Sequence, residues 1–330
     1  MAVSERSSFR LVAVVLFALA LLAGSVPTVA GPRVLAQPAQ ACDDPTSSMS
    51  LYAGPIGKNR IGYGLTPKKL SIPGPTITMT EGECRQITLV NDAKQALSMH
   101  AHGVAYSVAS DGTPLNKSCV QPGRSRTYVF SAPGPTTRAD GTLDPGSAGY
   151  WHYHDHCLGS PHGTGGVNKG LFGAFIVRRA GDPVPDRPPF VIVFKGRTIN
   201  LKKSPKTPVF QANEGERVEF VVIGHGELFH TFHLHAHRWV DNRTGIPTSI
   251  ENDQIIDNRT LGPADSFGFQ VIAGEHVGPG AWMYHCHVQG HSDSGMSGIF
   301  MVKTPGGAMT QEARRTMQAW KKMHVQQHHH

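Results

Sequence analysis

Glu81-Gly82-Glu83-Cys84-Arg85-Gln86-Ile87-Thr88-Leu89-Val90 and Glu214-Gly215-Glu216-Arg217-Val218-Glu219-Phe220-Val221-Val222-Ile223 are two versions of one pattern. In each, Glu-Gly-Glu opens a short apolar strand, Ile87 to Val90 or Val218 to Ile223. In each, a His-x-His pair begins 19 residues after the first glutamate, His100 after Glu81 and His233 after Glu214. A second His-x-His pair follows beside aromatic residues. Both copies close on a Gly-rich apolar strand, Gly170 to Val177 and Gly298 to Val302. Matching order and spacing imply duplication of a unit of roughly 120 residues.

The chain around the repeat reads the same way. Glycine (37) and proline (24) are plentiful and charged residues make up 17%, a balance that favours short strands and turns over helical bundles. No convincing 3.6-residue periodicity runs through either copy. The expected class is all-β, with a β-sandwich over residues 45–178 and another over 190–304. Residues 179–189, with Pro183, Pro185, Pro188 and Pro189, form the expected linker. In the tail, 305–330, Met309, Ala313, Met317 and Trp320 recur at helical spacing and predict a short C-terminal helix. His328 to His330 are assigned no role.

Arg6 and Arg10 precede an apolar run from Leu11 to Gly24, and Thr28-Val29-Ala30 or Ala39-Gln40-Ala41 offer cleavage sites. Residues 1–41 therefore read as a Sec-type export signal with a short extension, a retained anchor being the alternative. No other segment is apolar enough to cross a bilayer, so no stable membrane association is expected. The formal charge is +7, but the basic residues are scattered apart from Lys202-Lys203 and the tail. That pattern excludes a nucleic-acid footprint. Export makes disulfides plausible among Cys42, Cys84, Cys119 and Cys157, with three pairings open. Cys286, flanked by histidines, is the one expected to stay reduced.

Nineteen histidines, clustered, indicate metal. Residues i and i+2 of a strand face the same way, so His100/His102, His154/His156, His233/His235 and His285/His287 form four same-face pincers. One such pair can be an ordinary surface feature; four at duplicated positions are not. Imidazole alone does not choose among copper, zinc, iron and nickel. The choice comes from Tyr284-His285-Cys286-His287 with His291 and Met296 downstream and His230 upstream. Two imidazoles, a thiolate and a weak axial thioether make a blue-copper site. Met296 could instead fill the core; its place on a loop ten residues after the cysteine favours ligation. Period 2 also places His285 and His287 on the face opposite Cys286, where they would hold other coppers.

With these stretches the chain resembles the multicopper oxidases, and most closely their small two-domain bacterial laccases. The resemblance runs from about Leu51 to Lys303 through Met99 to Gly103, Trp151 to His156, His230 to His235 and Tyr284 to Met296. It implies two cupredoxin-like Greek-key sandwiches. It also implies a trinuclear cluster (one type 2 and two type 3 coppers) on the eight paired histidines. A type 1 copper would sit on His230, Cys286, His291 and Met296, four coppers in all. Within Trp151 to His156 the family pattern selects His154 and His156 and leaves His152 structural. Asp155 stands where the second copy has Cys286, so the first domain would hold cluster ligands and no blue copper. The resemblance further implies a homotrimer with each cluster between the first domain of one chain and the second of the next.

Tyr106, Asp111 and Asp257 match a tyrosine near the cluster and two acids that relay protons to oxygen. Core packing for Tyr106 and a turn at Asp111-Gly112 are the plainer readings. His162, His225, His237 and His276 match no ligand position. Met309, Met317, Met323 and His324 could handle copper, although packing of the tail helix explains them more simply.

The expected function is that of a secreted laccase, with single electrons taken from phenolic or similar organic reductants and dioxygen reduced to water. The alternatives are a copper nitrite reductase, an electron carrier and a metallo-oxidase acting on Cu(I). The first would leave five paired histidines idle and puts its blue copper in the first domain. A carrier needs none of the pairs. A metallo-oxidase usually carries a methionine-rich insert, and none is visible.

Overall fold

The computed structural model describes Cys42 and residues 44–326, with side chains to residue 322. The expected export signal, the side chains of Met323 and His324 and the terminal histidines lie outside the described residues.

The duplication is carried in the hydrogen-bonding pattern. In the first copy Ser47–Ile56 pairs parallel with Cys84–Asn91, which pairs antiparallel with Ser125–Ser131. In the second, Phe190–Lys195 pairs parallel with Arg217–His225, which pairs antiparallel with Ser266–Ile272. The facing sheets match as well. Ile77–Thr80, Phe172–Arg178, Gly149–His154 and His100–Ala101 lie in that order in one, and Val209–Asn213, Ser297–Lys303, Gly280–Cys286 and His230–Leu234 in the other. Neighbours in space that are distant in sequence give each copy a Greek-key sandwich.

Each sandwich encloses its own core, with Leu89, Phe130 and Phe175 in the first and Phe220, Phe232 and Phe300 in the second. Burial of each such phenyl ring is worth about 1.5–3 kcal/mol. Between the sandwiches lies a third core of Tyr150, Phe172, Ala174, Ile176, Val193, Val221 and Ile223. Two strands are thereby buried on both faces, which explains their almost unbroken apolar runs.

The face between the sandwiches has two polar ends. At one, Arg178 donates from both terminal nitrogens to buried Glu219, at 2.8 and 2.7 Å, and Tyr150 donates to the same carboxylate at 2.8 Å. At the other stand His152, His154 and His225, their rings 5.0–5.8 Å apart. The helix Gln311–Gln326 packs Ala313 and Trp320, with Met309 and Met317, on Ile299, Met301 and Met283. These two tail methionines fill a packing interface, as the simpler reading held.

Cys42 is bridged to Cys84 and Cys119 to Cys157. The second bridge ties the residue after His156 to the segment behind Asp111, where Cys157 also meets the Gly112 carbonyl.

Candidate metal centres

The ligand strands are seated before any ligand is considered. Tyr153 and Tyr284, each preceding a histidine pair, donate to the carbonyls of Pro75 and Pro208 at 2.7 and 2.8 Å. Their rings lie over Gly173 and Gly298, their cross-strand partners, where a Cβ would come within 2.4 and 2.2 Å of the ring. Only glycine permits that approach. Register then sets His154 opposite His100, and His285 opposite His233.

The ring nitrogens are sorted by backbone carbonyls. Nδ1 of His100, His154, His156, His233 and His285 lies 2.7–2.9 Å from the oxygens of Asp111, Asp155, Pro161, Asp257 and Cys286 respectively. A carbonyl only accepts, so Nδ1 holds the proton and Nε2 keeps its lone pair for a cation. Nε2 of His102 and His154 converge to 3.2 Å, and those of His235 and His285 to 3.3 Å.

Two imidazole groups result. Donor atoms of His102, His152 and His154 lie within 4.8 Å of one another, as do those of His233, His235 and His285. His100 and His156 join the first group, with rings 4.9 Å apart, and His287 joins the second, 5.1 Å from His285. Among the described residues no ring contact joins one group to the other within a chain.

The third group is buried in the second sandwich. Cys286 Sγ, free and fully buried, lies 3.7 Å from His230 Nδ1 and 3.6 Å from His291 Nδ1. The short helix Gln289–Asp293 delivers His291, and Met296 is buried in the same core as Cys286, its carbonyl accepting the Cys286 N–H at 3.0 Å. Burial pushes the Cys286 thiol up, and burial with His291 alongside takes His230 down to about 4. A neutral thiol and neutral imidazoles in a dry pocket favour a thiophilic cation that displaces the thiol proton. The equivalent pocket of the first sandwich holds Asp155. Its carboxyl, raised to about 6 by burial, accepts N–H groups of Leu158, Ser98 and Cys157.

Tyr106 stands edge-on to His100 at 6.0 Å and to Phe130 at 5.9 Å. Burial and the neighbouring Asp111 carboxylate raise its hydroxyl. Burial acts to raise Asp111 too, but Thr113 and Asn116 donate to its carboxylate and hold it below its ordinary range. Asp257 is 65% exposed and reaches the second group chiefly through its carbonyl on His233. The hydrogen bonds to the imidazoles come from the backbone oxygens of these two acids, with the Asp111 and Asp257 carboxylates at 3.6 and 4.0 Å from the same Nδ1 atoms.

The sequence reads His152 as structural and matches His225 to no ligand position; both stand against the first imidazole group. His152 stacks on His102 at 4.0 Å, and His225 stands at right angles to His152. Period 2 from His154 places His152 on this face; His225 comes from the other sandwich and carries no local signal. His162 lies 5.9 Å from His156, and His237 hydrogen-bonds the His235 carbonyl at 3.0 Å.

These rings imply acid sensitivity in the metal-free protein. Burial lowers His102, His230 and His235 to about 4 and His225 to about 3, from 6.5. Below 6.5 the unfolded chain binds protons that the folded rings refuse. Stability present above that pH is therefore lost as pH falls from 6.5 through about 4. A urea midpoint for metal-free protein that stays level across this window would contradict the assignment.

Comparison with known proteins follows the same division. Two family descriptions, both "Multicopper oxidase", match residues 69–182 and 184–306. A probable nitrite reductase–hydroxylamine oxidoreductase fusion protein of Kuenenia stuttgartiensis is 33% identical over 265 residues, 73% of this chain and 29% of its own length. Laccase-20 of Oryza sativa subsp. japonica is 36% identical over 110 residues, 32% of this chain and 16% of that protein. The chain thus spans less than a third of either relative. Among solved structures, a multicopper oxidase superposes with a TM-score of 0.55 at 23% identity, covering 78% of this chain and 88% of that one. A copper nitrite reductase from Nitrosomonas europaea gives 0.58 at 20% identity, covering 81% and 98%. These two likenesses concern the fold.

Proposed function

Given that the chain belongs to the multicopper oxidase family, we propose that it acts as a laccase-type oxidase, taking single electrons from small organic reductants and reducing dioxygen to water. The observation that carries this reading is the use of all eight paired histidines in two imidazole groups, beside a separate Cys286 pocket. A reductase with one three-histidine copper has no use for five of those rings.

Bound copper would supply one-electron exchange at His230, Cys286, His291 and Met296, and four-electron oxygen chemistry at His100, His102, His154, His156, His233, His235, His285 and His287. The donor set fits: lone pairs at Nε2 on His100, His154, His156, His233 and His285, and two Nδ1 atoms with a buried sulfur in the pocket. Cys286 joins the centres covalently, since His285 and His287 are its chain neighbours on the opposite face. His291, 8% exposed, is the entry for electrons from the surface, with Phe229, 68% exposed beside the buried His230, offering an apolar footing for an aromatic reductant. Asp111 and Asp257 are assigned the relay of protons toward oxygen, their side-chain oxygens standing 3.6 and 4.0 Å from Nδ1 of His100 and His233.

Because no ring contact joins the two imidazole groups among the described residues of one chain, the oxygen site is assigned to the junction of two chains, in a closed trimer. Export is part of the same reading, supported by the two disulfides. Oxygen uptake by copper-loaded protein with a phenolic and a non-phenolic donor tests the function. Nitrite consumption without oxygen uptake would replace it with the reductase alternative.

Tyr106 is assigned a one-electron reserve, giving an electron toward His100 while its proton passes to Asp111. Tyr106→Phe should retain all coppers and the blue colour but lose a transient tyrosyl radical when partly reduced enzyme meets oxygen. Rapid-freeze spectroscopy that finds no radical in either protein returns Tyr106 to core packing.

A further inference from the structure

The interface between the sandwiches breaks the rule of its own composition at one end. Its middle is apolar. Next to that apolar patch, His152 and His225 are buried at 1% and 5% exposure, and Nε2 of each has no hydrogen-bond partner among the described residues. An unsatisfied buried donor or acceptor costs on the order of 1–3 kcal/mol, so two in one spot ask for a reason.

The duplication shows that packing does not require them. Trp151-His152-Tyr153-His154 aligns with Trp282-Met283-Tyr284-His285, so the second copy has methionine where the first has His152. Met283 packs under the C-terminal helix, an apolar solution to the same position. His225 ends the strand Arg217–His225, where Val221 and Ile223 of the same face are apolar. Both imidazoles appear where the second sandwich meets the first sandwich's histidine group.

We infer that His152 and His225 are positioning residues that hold His102 and His154 in the orientation in which they bind copper, and that through His225 each chain's second domain braces the imidazole group of its own first domain. The contacts run in sequence. His225 stands 5.0 Å from His152 at 90° and 5.3 Å from His154 at 68°. His152 in turn lies flat on His102 at 4.0 Å and 25°. His154 is then fixed by the Asp155 carbonyl on Nδ1 and by His225 beside its ring, while the His102 ring is held by stacking on His152. A phenyl ring or a thioether would fill the space but give no polar edge to orient against.

The inference rests on the paired histidines holding copper. Its test uses full-length, copper-loaded protein and three variants: His152→Met, which copies the second domain, His225→Phe, and the two combined. The type 1 blue absorption serves as an internal control, because its ligands lie in the other pocket. Expected are a full blue band, an altered paramagnetic-resonance signal from the paired-histidine coppers, and copper loss to a competing chelator about 10–100-fold easier than in the parent. His225→Gln, which restores a polar edge, should recover part of that retention. Variants with lower thermal stability but unchanged resonance signal and copper retention would show that the two rings only pack. If the parent itself shows no paired-histidine copper signal, the proposed function fails instead, and the two failures are told apart.

Discussion

Cys286→Ser is expected to leave a colourless protein that still holds copper on its paired histidines. The blue absorption needs charge transfer from a thiolate sulfur, and Cys286 is the free cysteine among the described residues, 3.6–3.7 Å from two imidazole nitrogens. Serine keeps the size but supplies a hard hydroxyl that stays protonated in this dry pocket. His285 and His287 face away from the substitution and keep their own environments. Copper per chain should therefore fall only by the ion of the blue site, and oxidation of organic donors should drop to background. Residual blue colour in the variant would overturn the ligand assignment.

Two inactive chains are expected to make an active mixture. A chain carrying His100→Ala with His102→Ala lacks a working first-domain group, and one carrying His233→Ala with His235→Ala lacks the second. If each oxygen site forms between the first domain of one chain and the second domain of the next, joint assembly restores some sites with both halves intact. Random mixing in equal amounts gives roughly a quarter of the parent's oxygen uptake. If both groups of a site came from one chain, no mixture would recover anything. The expectation follows from the lack of ring contact between the two groups within a chain. Sizing should give three chains per particle, and a fully active single chain would remove the basis for the scheme.

The sequence was most legible where backbone periodicity does the work. Spacing by two residues told which histidines share a face, and the repeat of Glu-Gly-Glu to His-x-His told that the sandwich occurs twice; the matching sheet orders agree. The set His230, Cys286 and His291 comes together as its spacing suggested. Long-range partners were not legible. Nothing near Cys42 names Cys84, and nothing near His225 says that its strand will lie against His152. The roles expected of Asp111 and Asp257 illustrate a different limit. Residue type advertises a carboxylate, whereas the hydrogen bonds to His100 and His233 come from main-chain oxygens that any residue possesses.

The C-terminal helix and the junction of the two sandwiches do the same work at matching positions. In the first sandwich the outer face of Phe172–Arg178 is covered by the next sandwich, whereas in the second the matching face, with Ile299 and Met301, is covered by Ala313 and Trp320 of the helix. A series of these units is open-ended by construction, since every added copy shields its predecessor and bares itself. Here the helix gives the second sandwich that shield. It occupies the berth a third unit would take, using 16 residues where a whole domain would otherwise be needed.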